Sequence, residues 1–453
     1  APKNIMIVSF AVLRYNMLGT LFGLMLVPIH SAQTPINQVP FEGQYRDIVI
    51  PQNITAKYLV LTAVGGDGGW IERNQYKFGG GEGAFVKTAF AIGKGANQLH
   101  PGDTIRFMVG GKGDSQQYTD KSGAPTGVGG GGGTGIAARG LDGKWKILLV
   151  AGGGGGAYWS WSGGSAGNPG HAYKNASSAI GDGQAGVRIR PKENEGESCG
   201  AGAFGSSYPF PLSLGSIKSN AGWPAGPDYG EPTGGSGSDQ GNGSFFSGGW
   251  GFGAGGIGQT KYILGGGGGG YSGGAGGQSG KGGSSFVNEQ LEHGPILTYA
   301  GATIQQPMDG YALYEFTDSN TLYRTVRLEK ALHKCLDVYE GKTVSPRNVQ
   351  LAPCTDSSSQ HWLLDGLFVR MAQNPGKCLN LKDSQTENYA NIEVDDCHGG
   401  TNQQWIFDAQ ARVFRTAVDP EKCLDADKGL LTDGTNVHLY DCNGSDAQRW
   451  LIQ

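Results

Sequence analysis

The last third of the chain repeats itself three times, and this repeat limits the possible folds more than any other feature. From residue 321 a pattern returns about every 44 residues. The first copy has CLD at Cys335, NVQLAPC from Asn348 and QHW from Gln360. The second has CLN at Cys378, NIEVDDC from Asn391 and QQW from Gln403. The third has CLD at Cys423, NVHLYDC from Asn436 and QRW from Gln448. In each copy the cysteines stand 19 apart and the second precedes the tryptophan by 8. A unit this small cannot bury its own apolar face, whereas three units can share one core about a pseudo-threefold axis. The apolar positions alternate (Val349 and Leu351, Ile392 and Val394, Val437 and Leu439), as strands require. Each tryptophan is expected in the shared core, and each glutamine two residues before it on backbone groups of the turn. Pairing within copies gives Cys335–Cys354, Cys378–Cys397 and Cys423–Cys442. Six cysteines in regular pairs behind a leader read as disulfides rather than zinc ligands. Each loop so closed contributes roughly 3 kcal/mol in the chain-entropy account.

The triple QxW with paired cysteines, over residues 322–453, resembles the ricin-type β-trefoil lectin family. The resemblance implies a β-trefoil at 321–453 and a sugar site in each competent lobe. Such a site uses an Asp after the first cysteine, an aromatic two residues before the second, and a polar residue two before that. Further polar groups lie near the QxW. The chemistry suits a sugar, which offers fixed hydroxyls to a carboxylate and a C–H face to an aromatic ring. On this basis the third lobe holds a complete set, Asp425, His438, Tyr440, Asn443 and Gln448, with Ala447 where some members place Asn. The first lobe holds a weaker site, Asp337 and Gln350, because Ala352 replaces the aromatic. The second lobe has Asn380, Glu393 and Asp395 and reads mainly as scaffold, although Asn402 is retained. The implied partner is a glycan, galactose-type by family default.

The rest of the chain is ruled by glycine. Of 83 glycines, 72 lie between residues 65 and 320. Such a composition usually signals disorder, and ordering glycine costs about 0.5–1 kcal/mol more per residue than alanine. Three features argue for order. Six tryptophans fall here, from Trp70 to Trp250. Strand-like runs interrupt the glycines at 58–64 (YLVLTAV), 84–92 (AFVKTAFAI), 104–109 (TIRFMV), 145–151 (WKILLVA) and 311–316 (YALYEF). Glycine runs begin where such runs end, as in LLVAGGGGGAY. Without Cβ atoms, threefold glycine helices can lie side by side and satisfy one another's backbone groups. Residues 39–317 also resemble the extracellular glycine-rich region of the anaplastic lymphoma kinase and leukocyte tyrosine kinase receptors. The segments carrying this are VGGGGGTGIAARGLDGKWKILLVAGGGGGAYWSW, LGGGGGGYSGGAGGQSGKGGSSFV and the strand MDGYALYEF. It implies an all-β, jelly-roll-like sandwich with packed polyglycine helices over residues 33–320, followed by the β-trefoil. Kinase signalling does not carry over, because no kinase sequence follows.

Residues 17–28 (MLGTLFGLMLVP) follow Lys3 and Arg14 and precede Ala32, which reads as a signal peptide over 1–32. A signal anchor over 5–29 is the rival, interrupted by Arg14 and Asn16. No later stretch is long and apolar enough for a membrane span. N-x-S/T sequons stand at Asn53, Asn175, Asn242 and Asn443, and a glycan on Asn443 would block the third-lobe site. The seventh cysteine, Cys199, is either a buried thiol or an interchain bridge. With a net charge of −4 and no basic stripe, nucleic acid is excluded as a partner. No paired carboxylates, HExxH or strand-to-helix GxSxG mark an enzyme, and neither a metal nor a cofactor is expected. The expectation is a secreted carbohydrate-binding glycoprotein with a rigid glycine-rich scaffold. The alternative is an extracellular matrix, surface or filament subunit that self-associates and uses the trefoil for packing.

Overall fold

The strand-like runs are apolar on both faces, so each must be covered twice, and the structure shows by what. The computed structural model describes residues 36–453 except 74–75, 119–125, 161–162, 169, 171–199, 205–220, 222–230, 238–244, 247, 257, 260–264, 278, 301–302, 305–307 and 366. The leader, Cys199 and the sequons at Asn175 and Asn242 therefore lie outside the described residues. Within them the chain is all-β; its helical turns are three-residue 3-10 turns.

Two five-stranded antiparallel sheets form the first part. One runs in the order Asn37–Pro40, Tyr311–Thr317, Tyr58–Val64, Phe85–Ala91, Leu297–Tyr299. The other runs Phe286–Val287, Trp145–Ala151, Thr134–Arg139, Thr104–Met108, Arg46–Val49. They share a core to which Leu59, Leu61, Ala63 and Phe90 come from the first sheet and Ile105, Phe107, Ile136 and Leu149 from the second. Because strand side chains alternate, Val60 and Val64 face the other way. Val60 packs with Ala89 and Leu322, and Val64 with Phe85, Tyr311 and Leu363, so the repeat region covers that outer face. The second sheet's outer face is covered by Phe252, Ala203 and Tyr271 from the glycine-rich loops, against Met108, Ala137 and Val150. Two-sided burial is the reason these strands read as continuous apolar runs.

The glycine runs bond to one another with a period of three. Gly130 N donates to Gly256 O (2.9 Å) and Gly133 N to Gly253 O (3.0 Å), while the amides between them go elsewhere, Gly131 to Gly154 O and Gly132 to Gly111 O. Likewise Gly153 N donates to Gly269 O, Gly154 N to Gly66 O, Gly155 N to Asn168 O, and Gly156 N returns to the first neighbour at Gly266 O. Successive amides thus serve different neighbours, and every third returns to the same one. Glycine is required by proximity: a Cβ on Gly153 would lie 2.2 Å from Gly131 O, and one on Gly266 would lie 2.0 Å from Gly256 O.

The repeats close around one core containing Trp362, Trp405 and Trp450, each about fully buried. Each indole N–H donates to a carbonyl 26 residues earlier: Leu336 (3.1 Å), Leu379 (2.9 Å) and Leu424 (3.1 Å). Each motif glutamine holds its turn by two bonds, donating to Pro353, Asp396 or Asp441 O and accepting from Thr355, His398 or Asn443 N. The three expected disulfides are present, with Cα–Cα separations of 5.1, 5.1 and 5.0 Å. Where the three copies meet, the first Asn of each NxxxxxC motif joins a closed ring. Asn348 donates to Asn436 (2.8 Å), Asn436 to Asn391 (3.0 Å) and Asn391 to Asn348 (3.0 Å).

Ile36–Gln453 forms one compact unit, and charged groups tie its two parts together. Arg324 clasps Glu315 through two 3.0 Å bonds. Arg370 stands 3.9 Å from Glu82 of the first part and donates to Asp365 at 2.5 Å; burial pushes the Asp365 carboxyl up, against the pull of the guanidinium beside it.

Candidate functional site

Antiparallel pairing of Lys422–Ala426 with Val437–Asp441 sets Asp425 opposite His438 and Cys423 opposite Tyr440. Because residues two apart share a face, this register gathers the carboxylate, the imidazole and the phenol on one side of the hairpin. They line a cleft of about 470 Å³, with walls completed by Tyr389, Lys330, Lys428, Asn443, Asp446 and Ala447. That volume lies in the about 300–1,000 Å³ range of small-ligand sites.

Four of the five residues expected from the third repeat therefore meet in one cleft. Gln448 does not line it. It is fully buried behind the turn, and both ends of its amide are spent on backbone, Asn443 N at 2.9 Å and Asp441 O at 2.8 Å. Its place among the sugar-contacting residues is thus corrected to a turn-holding role. Asn443 is exposed at the rim, with its side-chain oxygen accepting from Ser445 N (2.8 Å).

The polar geometry separates this lobe from the other two. In the first lobe Asp337 is already satisfied: Ser359 Oγ donates to one oxygen at 2.7 Å and Gln350 Nε2 to the other at 3.2 Å. In the second, Asn402 donates to Asn380 at 2.8 Å, and Asn380 faces Glu393 at 3.4 Å. Burial pushes the Glu393 carboxyl above its ordinary range. In the third lobe the residue equivalent to Ser359 and Asn402 is Ala447, which has nothing to donate. Among the described residues no hydrogen bond reaches the Asp425 carboxylate. His438 Nε2 stands 3.4 Å from it without hydrogen-bonding alignment, and that nitrogen is buried without a partner. The Tyr440 phenol, beside the Tyr389 hydroxyl, is raised above its usual range.

Tyr389, Lys330, Lys428 and Asp446 were not singled out by the sequence. Tyr389 belongs to the second repeat and Lys330 to the first, so a lobe-by-lobe reading assigns them elsewhere. A second, smaller recess lies between Asp67, Glu82, Met308, Tyr311 and Arg370. Burial and the Glu82 charge push the Asp67 carboxyl up to about 8. Both of its oxygens are engaged, by Gly83 N (2.8 Å) and Met308 N (2.6 Å). With about 20 Å³ of space, the recess has room for one water and no organic ligand.

Residues 323–450 match the family model of the ricin-type beta-trefoil lectin domain. A search of curated proteins found no match to the chain. Among solved structures, a designed threefold-symmetric protein, ThreeFoil, is similar at 26% identity, covering 29% of this chain and 98% of its own, with a TM-score of 0.27. The C-half of an earthworm R-type lectin, solved in complex with GalNAc, is similar at 16% identity over 29% of this chain and 98% of its own (TM-score 0.26). The β-trefoil lectin of the Vibrio vulnificus hemolysin/cytolysin, solved with N-acetyl-D-lactosamine bound, is similar at 23% identity over 30% of this chain and 96% of its own (TM-score 0.25). The match is confined to residues 323–450 and supports carbohydrate binding in general.

Proposed function

We propose that the protein is a secreted lectin whose working site is the third-lobe cleft, carried on a rigid glycine-rich scaffold. The observation that supports this most is the Asp425 carboxylate, which lines the cleft with no hydrogen bond from the described residues, beside the partly exposed Tyr440 ring. A carboxylate so placed can accept from two sugar hydroxyls, each such charge-assisted bond contributing about 1.5–3 kcal/mol. Tyr440 offers the flat apolar face that a pyranose C–H side requires. Asn443 adds an amide at the rim. Galactose-type sugars are the class assigned by family likeness. Asp337 and Asn380, already bonded within their own lobes, act as scaffold in this reading.

The signal-peptide-like run at residues 17–28 and three disulfides favour an extracellular setting, and among the described residues no helix is long and apolar enough to cross a membrane. The likeness of residues 39–317 to the receptor glycine-rich region supports a scaffold role, with the cross-bonded glycine runs as its physical basis. This reading gives the chain no catalytic step. A glycan array with the disulfide-intact protein beside Asp425→Ala and Tyr440→Ala tests it. Binding that both variants lose is the expected result. Absence of binding by a folded wild type, together with concentration-dependent association, would replace the lectin reading with that of an assembly subunit.

A further inference from the structure

The third-lobe cleft is closed on one side by a residue from another lobe. Tyr389 precedes the ring residue Asn391 by two positions in the second repeat. At the equivalent positions the first repeat has Pro346 and the third has Gly434. These loops abut the neighbouring lobe: Arg347, beside Pro346, pairs with Val394, Gly434 N bonds Leu351 O, and Tyr389 N bonds Leu439 O at 2.8 Å. Of the three lobe boundaries, therefore, this one alone places an aromatic ring there, and it is the boundary beside the unsatisfied Asp425.

Tyr389 is held there at a cost. Its φ is +74°, a left-handed conformation that costs a bulky residue about 1–3 kcal/mol. The loop is locked on both sides. Asn388 donates to Asp441 (2.8 Å) and accepts from Asp441 N and Lys422 Nζ (2.9 Å each), and Leu439 N donates to Ala390 O (2.9 Å). The ring so positioned is 59% exposed, while its centroid lies 5.2 Å from Tyr440 at 74° and 5.0 Å from His438 at 62°. A strained, exposed aromatic fixed by neighbours points to a ligand contact rather than to packing.

The two tyrosine planes are nearly perpendicular. One pyranose ring can lie flat on only one of them. A glycosidic bond turns the next ring out of the first ring's plane, and the second platform then meets it. We propose that Tyr389 is the specificity-determining residue of the cleft: it receives the second unit of an oligosaccharide whose terminal unit lies on Asp425 and Tyr440. This rests on the carbohydrate reading above and adds the size class of the ligand, a disaccharide or longer read across a lobe boundary.

The test compares the affinity of the full-length protein for each array-positive oligosaccharide with that for its own terminal monosaccharide. Wild type is expected to prefer the oligosaccharide by roughly five- to tenfold, the ratio that one aromatic contact supplies. Tyr389→Gly, which suits the left-handed backbone, and Tyr389→Ala are expected to lower oligosaccharide affinity by more than monosaccharide affinity and so abolish that preference. Tyr389→Phe is expected to keep it. Equal loss for both ligands, or no change for either, would overturn the proposal while leaving the lectin reading intact. A wild type that binds no sugar at all would remove both.

Discussion

Ser359 Oγ donates to Asp337 at 2.7 Å, and in the third lobe the same position is held by Ala447, which cannot donate to Asp425. In the first and third lobes the residue before the QxW thus decides whether the carboxylate is bonded inside the protein. Asp337→Ala should leave sugar binding unchanged and destabilise the fold by about 1–3 kcal/mol, because Ser359 and Gln350 lose their acceptor. Asp425→Ala should do the reverse, abolishing binding with little change in unfolding temperature. Calorimetric unfolding beside the array measurement checks both. If Asp337→Ala were the variant that lost binding, the assignment of the working lobe would be wrong.

The ring of Asn348, Asn391 and Asn436 ties the three copies at their meeting point. Replacing any one by alanine leaves one neighbour without its acceptor and another without its donor. Each single variant should lose about 1–3 kcal/mol. The triple variant should lose less than the sum of the three, since the ring is one network. Denaturant unfolding of the four proteins measures this, and strict additivity would show that the three bonds act independently.

Gly153→Ala and Gly277→Ala form a matched pair. A Cβ on Gly153 meets Gly131 O at 2.2 Å, whereas one on Gly277 finds its nearest neighbour at 3.9 Å. The first should destabilise by about 1–3 kcal/mol or more, because backbone on the far side cannot yield. The second should be close to neutral. Equal effects in thermal unfolding would mean that the glycine runs are not held at these separations.

Asp67 makes stability depend on pH. Burial, with the Glu82 charge, raises its pKa from an ordinary 3.8 to about 8, so the folded state keeps a proton that the unfolded chain releases. Its contribution is constant below about 4, falls as pH rises from about 4 to about 8, and is flat above that. Lys87, lowered by burial to about 8, acts above this window: the unfolded chain binds more protons there, and stability rises from about 8 toward 10.5. The unfolding temperature of wild type should therefore fall between pH 5 and 8 relative to that of Asp67→Asn, whose slope should be flatter. Parallel slopes for the two proteins would show that Asp67 does not titrate in this range.

Much of the fold and part of the site were legible in the sequence. The cysteine and tryptophan spacings are short-range, and they contain the disulfides, the core tryptophans and the hairpin register that joins Asp425 to Tyr440. Gln448 was expected both on the turn's backbone and among the site residues, and its amide is spent on the turn. Glycine counts revealed that a Cβ is forbidden somewhere, though not which run lies against which.

What the sequence determined by itself is whatever one repeat or one strand encodes locally: threefold symmetry, disulfide pairs, two-faced apolar strands and the carboxylate–aromatic pair. What only the tertiary structure decided are contacts between segments far apart in the chain. These are the partner of each glycine run, the Asn ring, the buried Asp67 and the entry of Tyr389 into another lobe's cleft. The physical reason is that such contacts depend on which surfaces share a core, and no local periodicity records that choice.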